Sequence, residues 1–278
     1  TGAKHAIPFG SGRVCLHAIL KSLGVAAGHE VILQAFTCIC VPNAIRALGA
    51  RPVYCDIDER TLCINPAEVR AKITSSTAAI IVQHTYGIPA DMDSILRIAG
   101  KIPVIEDCAH AIDIQPSGLA AFFSFNWTKP IPAGSGGIVI TSNDDLAAKL
   151  QAIEYKKPTQ AFESALKIKQ ILFRELYHTS TFWDCEMADV ELKAFHPYIT
   201  AEVSGRMAEC TMISETAAAE AVRILKHLRR LIAHRKRIGS YYAGVFGGRK
   251  GLAYLCYPVR VADKWKTMEA AQQQGIEI

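Results

Sequence analysis

The sequence predicts an α/β protein, a mostly parallel β-sheet covered by helices on both faces. Two observations predict it. Short apolar runs, largely β-branched or aromatic, recur through the first half of the chain, and helical patterns lie between them. Regular alternation of strand and helix signals is the mark of a parallel sheet whose crossovers are helices.

The strand-like runs are Val31 to Leu33, Pro52 to Cys55, Ala79 to Val82, Pro103 to Ile105, Ala120 to Phe125 and Ile138 to Ile140. The helical patterns are Val14 to Leu23, Pro42 to Leu48, Pro66 to Ile73 and Asp91 to Ala99. Asp91 is placed to cap the last of these, and Asp93 puts negative charge in its first turn. Residues 151 to 210 read as helices and loops. A long helix is expected from Glu215 towards Tyr242, broken by Gly247-Gly248. Leu252 to Val261 reads as a strand opening a small second domain, and Lys264 to Gln274 as a helix after it. One strand and one helix do not close a core. The expected organisation is therefore a large α/β domain over residues 1–212 and a partial C-terminal domain over 213–278, cut short at its end.

With 278 residues, 50% of them hydrophobic, the chain can bury one large core and a small domain. No apolar run reaches the roughly 18–20 residues that span a bilayer, and Thr1 to His5 do not read as a signal peptide. A cytoplasmic location and no membrane partner are expected. The cysteines are scattered through apolar strings, which suits reduced core thiols rather than a disulfide framework. Cys38-Ile39-Cys40 is too closely spaced for a zinc knuckle, and no second pair with metal-ligand spacing follows, so no metal is expected. Much of the formal charge of +5 lies between Lys226 and Arg237. Leu225, Leu228, Leu231 and Ile232 recur there at helical spacing, which puts the bases on a solvated outer face. No aromatic residues interleave them as single-strand binding would ask, and no nucleic-acid partner is expected.

In an open α/β sheet, ligands bind beyond the carboxyl ends of the strands. The strand ending at Ile105 delivers Glu106, Asp107 and His110. The strand starting at Ala120 delivers Ser124 and then Lys129, followed by Gly134, Gly136 and Gly137, where backbone can approach a ligand closely. A third element, Gly10-Ser11-Gly12-Arg13, opens a helix, where free N–H groups and a guanidinium suit a phosphate. Each has a plain structural reading by itself. An acid after a strand is often a helix cap, a strand-end lysine a surface residue, and Gly-Ser-Gly an ordinary capped helix start. Together they supply what pyridoxal-phosphate (PLP) chemistry asks of a protein. A lysine forms the Schiff base, an acid keeps the pyridine nitrogen protonated so that the ring accepts electrons, and a helix N-terminus holds the phosphate.

Over nearly its whole length the chain resembles the DegT/DnrJ/EryC1/StrS family of PLP-dependent sugar aminotransferases. The matching stretches are Ser11-Gly12-Arg13, Asp56-Ile57-Asp58, the run from Gln83 to Asp93, the run from Glu106 to Ala111, and Ser124-Phe125 with Lys129 and Gly136-Gly137. The resemblance implies the aspartate-aminotransferase-like PLP-dependent transferase fold. It implies that Lys129 is the Schiff-base lysine and proton carrier, that Asp107 partners the pyridine nitrogen, and that His110 bonds the phenolic oxygen. Gly12, Arg13 and Ser124 match phosphate-cup positions, and Cys38 stands where an aromatic residue usually covers the ring. His84 and Tyr86 match positions near the pocket. The reaction implied is transfer of an amino group, from glutamate, to a nucleotide-linked keto-sugar for surface polysaccharide or secondary-metabolite synthesis, by a homodimer.

Some relatives use PLP for dehydration and lack the lysine; Lys129 argues against that branch. Other positions depart from the family pattern. Cys38 is a smaller ring cover, and Arg13 replaces a common small hydroxyl residue. The connection from His110 to Ala120 is short, and Ile213-Ser214-Glu215 stands where Met-Ser-Asn is typical. They leave open a second reading, a PLP-fold protein without transaminase activity that acts as a binding or regulatory module. A third, a lyase of the same fold acting on an amino acid, is opposed by the stretch from Gln83 to Asp93.

Overall fold

The structure, a computed structural model, describes residues 2–176 and 211–275. Its elements in chain order are β1 (His5–Phe9), α1 (Gly12–Ser22), β2 (Glu30–Gln34), α2 (Cys40–Arg46), β3 (Arg51–Cys55), α3 (Pro66–Lys72), β4 (Thr77–Gln83), a 3₁₀ turn (Thr85–Gly87), α4 (Met92–Ala99), β5 (Val104–Asp107), β6 (Ala120–Ser124), β7 (Gly137–Thr141), α5 (Asp144–Gln151) and α6 (Gln160–Leu176). After the undescribed stretch come α7 (Glu215–Leu225), α8 (Leu228–Phe246) and α9 (Lys264–Gln273). The reading of residues 177–210 as helices and loops lies outside the described residues.

The seven strands form one sheet in the order β1-β7-β6-β5-β4-β2-β3. From β3 to β6 all neighbours run parallel, and β7 lies antiparallel between β6 and β1. This is the mostly parallel sheet that the sequence predicts. Its central strands are apolar on successive residues because both faces are covered. In β4, Ala79 and Ile81 enter the core under α1, α2 and α5, while Ile80 and Val82 enter the core under α3 and α4. Caps set the helix starts: Ser11, Asn65, Asp91 and Asn143 each accept a backbone N–H of the following turn.

Three expectations are corrected. β1 is a strand that the sequence reading missed; Pro8 interrupts its apolar run, and the strand sits at the sheet edge, where proline is tolerated. The long C-terminal helix is two helices, separated at Lys226 and His227 (φ −109°, ψ 13°) without any glycine or proline to mark the break. Leu252 to Val261 form no strand among the described residues. They run as a loop with Ala253 and Tyr254 buried, and the Leu255 N–H donates to the Tyr86 carbonyl at 2.8 Å.

The basic stretch is also not uniformly solvated. Arg229, Arg230, His234 and Arg237 are exposed, but Arg235 Nη1 donates to the Tyr254 carbonyl at 2.9 Å and Lys236 pairs with Asp113 at 2.5 Å. Among the described residues, no helix is long and apolar enough to cross a membrane.

Candidate functional site

β4, β5 and β6 are adjacent, and their carboxyl ends come level, with Gln83 paired to Asp107 and Asp107 to Phe122. Asp107 closes β5 and is 4% exposed. Its Oδ1 accepts the Ala109 N–H at 2.9 Å, and among the described residues no hydrogen bond reaches Oδ2. Burial pushes its carboxyl up to about 6, against the opposing pull of the Ala109 bond and of the Lys129 charge. A buried carboxylate in that state is favoured by a cationic donor at Oδ2. A pyridinium N–H is such a donor, so the acid corner fits PLP.

Glu106, one residue earlier, points to the other face of the sheet. Its Oε1 accepts the N–H groups of Ser117 (2.7 Å) and Gly118 (2.5 Å), and its Oε2 lies 2.8 Å from His84 Nε2. The Ala90 N–H donates to His84 Nδ1 at 3.1 Å, which assigns the ring proton to Nε2, so His84 donates to Glu106. Both side chains are essentially inaccessible. Glu106 is therefore no helix cap. It ties the short 110–120 connection and the turn after β4 to the sheet.

That turn holds Tyr86 at φ 56°, a left-handed conformation uncommon outside glycine. The Tyr86 ring stacks on His110, with centroids 5.7 Å apart and planes 4° from parallel. The Tyr86 N–H donates to His110 Nδ1 at 3.4 Å, leaving the ring proton on Nε2. Burial, and then the Lys129 charge, lower the His110 pKa to about 4, so the ring is a neutral donor near neutral pH.

Lys129 is half-buried in the loop that leaves β6. A bridge between Asn126 and Gly134 pins this loop, as does the bond from Gln170 Nε2 to the Ala133 carbonyl at 3.0 Å. The Trp127 ring lies across Gly134, where an added Cβ would come within 2.5 Å of the indole. At Gly137 a Cβ would come within 2.8 Å of the Gly12 nitrogen. These glycines make room for protein, where the sequence reading had them admit a ligand. The Lys129 charge acts on Asp107, His110 and Cys38. The structure thus brings four of the anticipated residues together.

The remaining anticipated residues meet at the start of α1. Ser11 caps the helix, and a Cβ at Gly12 would come within 2.9 Å of Ser124 Cβ. The helix N-terminus is pressed onto the end of β6, and the Val14 N–H of its first turn donates to Ser11 Oγ. Arg13 is half-buried, and its Nη2 donates to Cys40 Sγ at 3.2 Å. Sequence reasoning missed the polar clamp beside them. Thr37 Oγ1 donates to Gln83 Oε1 at 2.6 Å, and the Gln34 and Gln83 amides both donate to Thr85 Oγ1 at 3.0 Å. The clamp holds the segment carrying Cys38 against the end of β4. Its signal was present, a glutamine directly after each apolar run at Leu33 and Val82.

A lysine, a buried acid one strand away and a helix N-terminus, gathered at the carboxyl ends of a mostly parallel sheet, define a fold of the PLP-dependent aminotransferase class. The chain belongs to the DegT/DnrJ/EryC1/StrS aminotransferase family, whose sequence profile matches residues 1–274. Aminotransferases of this family are PLP-dependent. The chain is 44% identical over 161 residues to a "pleiotropic regulatory protein" of Geobacillus stearothermophilus, a match covering 54% of this chain and 43% of that protein. It is 36% identical over 159 residues to the L-glutamine:2-deoxy-scyllo-inosose aminotransferase of Streptomyces lividus, covering 54% and 38%. The chain thus spans about two fifths of the length of these curated relatives. Among solved structures, a DegT/DnrJ/EryC1/StrS aminotransferase from Brucella abortus is similar in fold, with a TM-score of 0.74 at 20% identity, over 99% of this chain and 70% of that one.

Proposed function

We propose that this chain is a PLP-dependent aminotransferase that moves an amino group, from glutamate, onto a keto-sugar carried on a nucleoside diphosphate. The observation that carries the reading is Asp107, a buried carboxyl raised to about 6 within the field of Lys129. PLP, when bound, supplies an electron-poor ring that takes up the electrons of a C–H bond beside the transferred nitrogen. Lys129 Nζ would hold the cofactor and would take and return the proton at the reacting carbon. Asp107 Oδ2 holds the proton on the ring nitrogen. His110 Nε2–H supports the phenolic oxygen, and its neutral form keeps that hydrogen bond fixed near pH 7. The N–H groups at Gly12 and Arg13, with the Ser124 hydroxyl, hold the phosphate. Cys38 covers the ring as a smaller group than an aromatic side chain. The polyol ketone named in the Streptomyces relative supports a sugar-like acceptor. The nucleotide and the homodimer rest on the family likeness.

The test is covalent attachment. Purified protein given PLP turns yellow, and borohydride fixes a phosphopyridoxyl group on Lys129. The K129A variant gains no such group and loses about 10²–10⁴-fold in transamination. A wild-type protein that stays colourless, or that attaches PLP at another lysine, sinks the reading. Once glutamate has converted the cofactor to its amine form, regaining the yellow form with nucleotide keto-sugars but not with simple keto acids supports the acceptor. The name of the Geobacillus relative favours a regulatory module as the second reading. PLP attachment without turnover of any keto-sugar supports that alternative.

A further inference from the structure

Among the described residues, Lys129 Nζ makes no hydrogen bond or ion pair, so the course of its loop decides where it stands. The Lys129 N–H donates to the Asn126 carbonyl at 3.0 Å, which places the lysine just beyond Trp127. One stripe of α6 grips this loop. Leu166, Gln170 and Phe173 follow helical spacing and share a face. Phe173 meets the Trp127 ring with centroids 4.9 Å apart. Leu166 is buried behind Gly134, where an added Cβ would come within 2.8 Å of Leu166 Cδ1. Gln170 is 5% exposed, and its Nε2 donates to the Ala133 carbonyl at 3.0 Å and to the Thr216 carbonyl at 3.3 Å. Two carbonyls facing one amide nitrogen fix the orientation of that amide. The start of α7 has its own tie to α6. Glu163 accepts the Ser214 hydroxyl at 2.7 Å and the N–H groups of Glu215 (3.0 Å) and Thr216 (3.1 Å). What Gln170 adds to that tie is the Ala133 bond, and with it the Lys129 loop.

We propose that Gln170 is a positioning residue for Lys129. With Phe173 it fixes the loop between Asn126 and Gly134 against α6, and so sets the reach of Lys129 Nζ towards Asp107 and His110. The inference rests on the reading of Lys129 as the cofactor lysine, and adds to it the residues that aim the amine. The chemistry accounts for the residue types. The amine has to be aimed closely, because a displacement of about 1 Å can cost about 10²-fold in rate. It cannot be pinned through its own nitrogen, which has to stay free to form a bond and to move a proton. The backbone carries the constraint instead, through the Trp127 indole before the lysine and the Ala133 carbonyl after it. An apolar side chain at position 170 would fill the same space, but would leave the carbonyl of fully buried Ala133 without that donor.

The PLP-free full-length chain gives readouts that need no turnover. Q170M keeps the length of the side chain and removes both N–H groups. Amide hydrogen exchange over residues 127–134 is expected to speed up on the order of tenfold for the lost bond. Acetylation of Lys129 by limiting acetic anhydride, read by peptide mass against exposed Lys101, should rise. E163A is the matched control. It frees the start of α7 from the same helix and leaves the Ala133 bond in place, so both readouts should stay at wild-type values. F173L removes the ring contact with Trp127 without stranding a buried carbonyl, and should give both changes in smaller measure even if Q170M fails to fold. In the PLP-loaded protein, Q170M should lower kcat by about 10–10²-fold, with the KM for glutamate within about twofold. A wild-type protein that stays colourless overturns the reading of Lys129, and exchange and labelling still decide the hold on the loop. Unchanged exchange and labelling in folded Q170M and in F173L, or changes of equal size in E163A, would overturn the proposal.

Discussion

Asp107 is held where its charge is costly. Its folded pKa of about 6 lies above the ordinary carboxyl value near 3.8, so the fold favours the protonated acid. The penalty is absent below about pH 4, grows as the pH rises through the window up to about 6, and is complete above it. Its full size is about 2–3 kcal/mol. In the PLP-free chain, D107N is therefore expected to raise stability by about 1–3 kcal/mol at pH 8 and to change little at pH 4, read as the shift in urea midpoint. The same variant should lose PLP affinity and transamination. A D107N protein less stable than wild type at pH 8 would show that the carboxylate is already compensated. Asp107, Lys129 and the Gly12 corner were legible in the sequence because a site at strand ends needs few residues in a fixed order. The Tyr86–His110 stack was less so. His110 and Tyr86 were flagged through family likeness, but no local pattern announces a left-handed tyrosine.

At the scale of elements, the buried Glu106 decides how the turn after β4 meets the sheet. It answers three donors at once, the N–H groups of Ser117 and Gly118 and the His84 ring. Removing it leaves the buried His84 ring without an acceptor, at about 1–3 kcal/mol for an unsatisfied group, and turns the Ser117 and Gly118 N–H groups over to water. E106A is expected to destabilise the chain by about 3–5 kcal/mol, and E106Q by less, since an amide oxygen still accepts. Urea unfolding of both variants checks this; equal losses would remove the charge from the explanation. Strands β2 and β4 to β7 were legible because burial on both faces gives each an apolar run, and the edge strand β3 because Val53, Tyr54 and Cys55 are apolar in succession. β1 was not, because its edge position admits Pro8. The break between α7 and α8 was not, because its residues are ordinary helix formers. Leu252 to Val261 misled because an apolar composition also suits a loop that buries Ala253 and Tyr254 and leaves Val259 and Val261 exposed.

Across the whole molecule, that loop is what joins the C-terminal segment to the site. Gly87, at φ +89°, lies so close to it that a Cβ would come within 2.7 Å of the Ala253 carbonyl oxygen. G87A adds backbone strain of about 1–2 kcal/mol and pushes the loop off Tyr86. Hydrogen exchange at the Leu255 amide is expected to speed up on the order of tenfold, while amides of β5 keep their protection. Unchanged exchange at Leu255 would mean that the loop is held elsewhere. The sheet has a further long-range joint. β1 pairs with β7 from His5↔Thr141 to Phe9↔Gly137, and β1 runs straight into the cap of α1. Contacts that join such distant parts of a chain are formed late and slowly. During synthesis the central strands can pair as they emerge, but β1 waits for residues 137–141. The start of α1 is therefore the last part of the proposed site to assemble, and a nascent chain stalled before β7 would carry Lys129 and Asp107 without it in place.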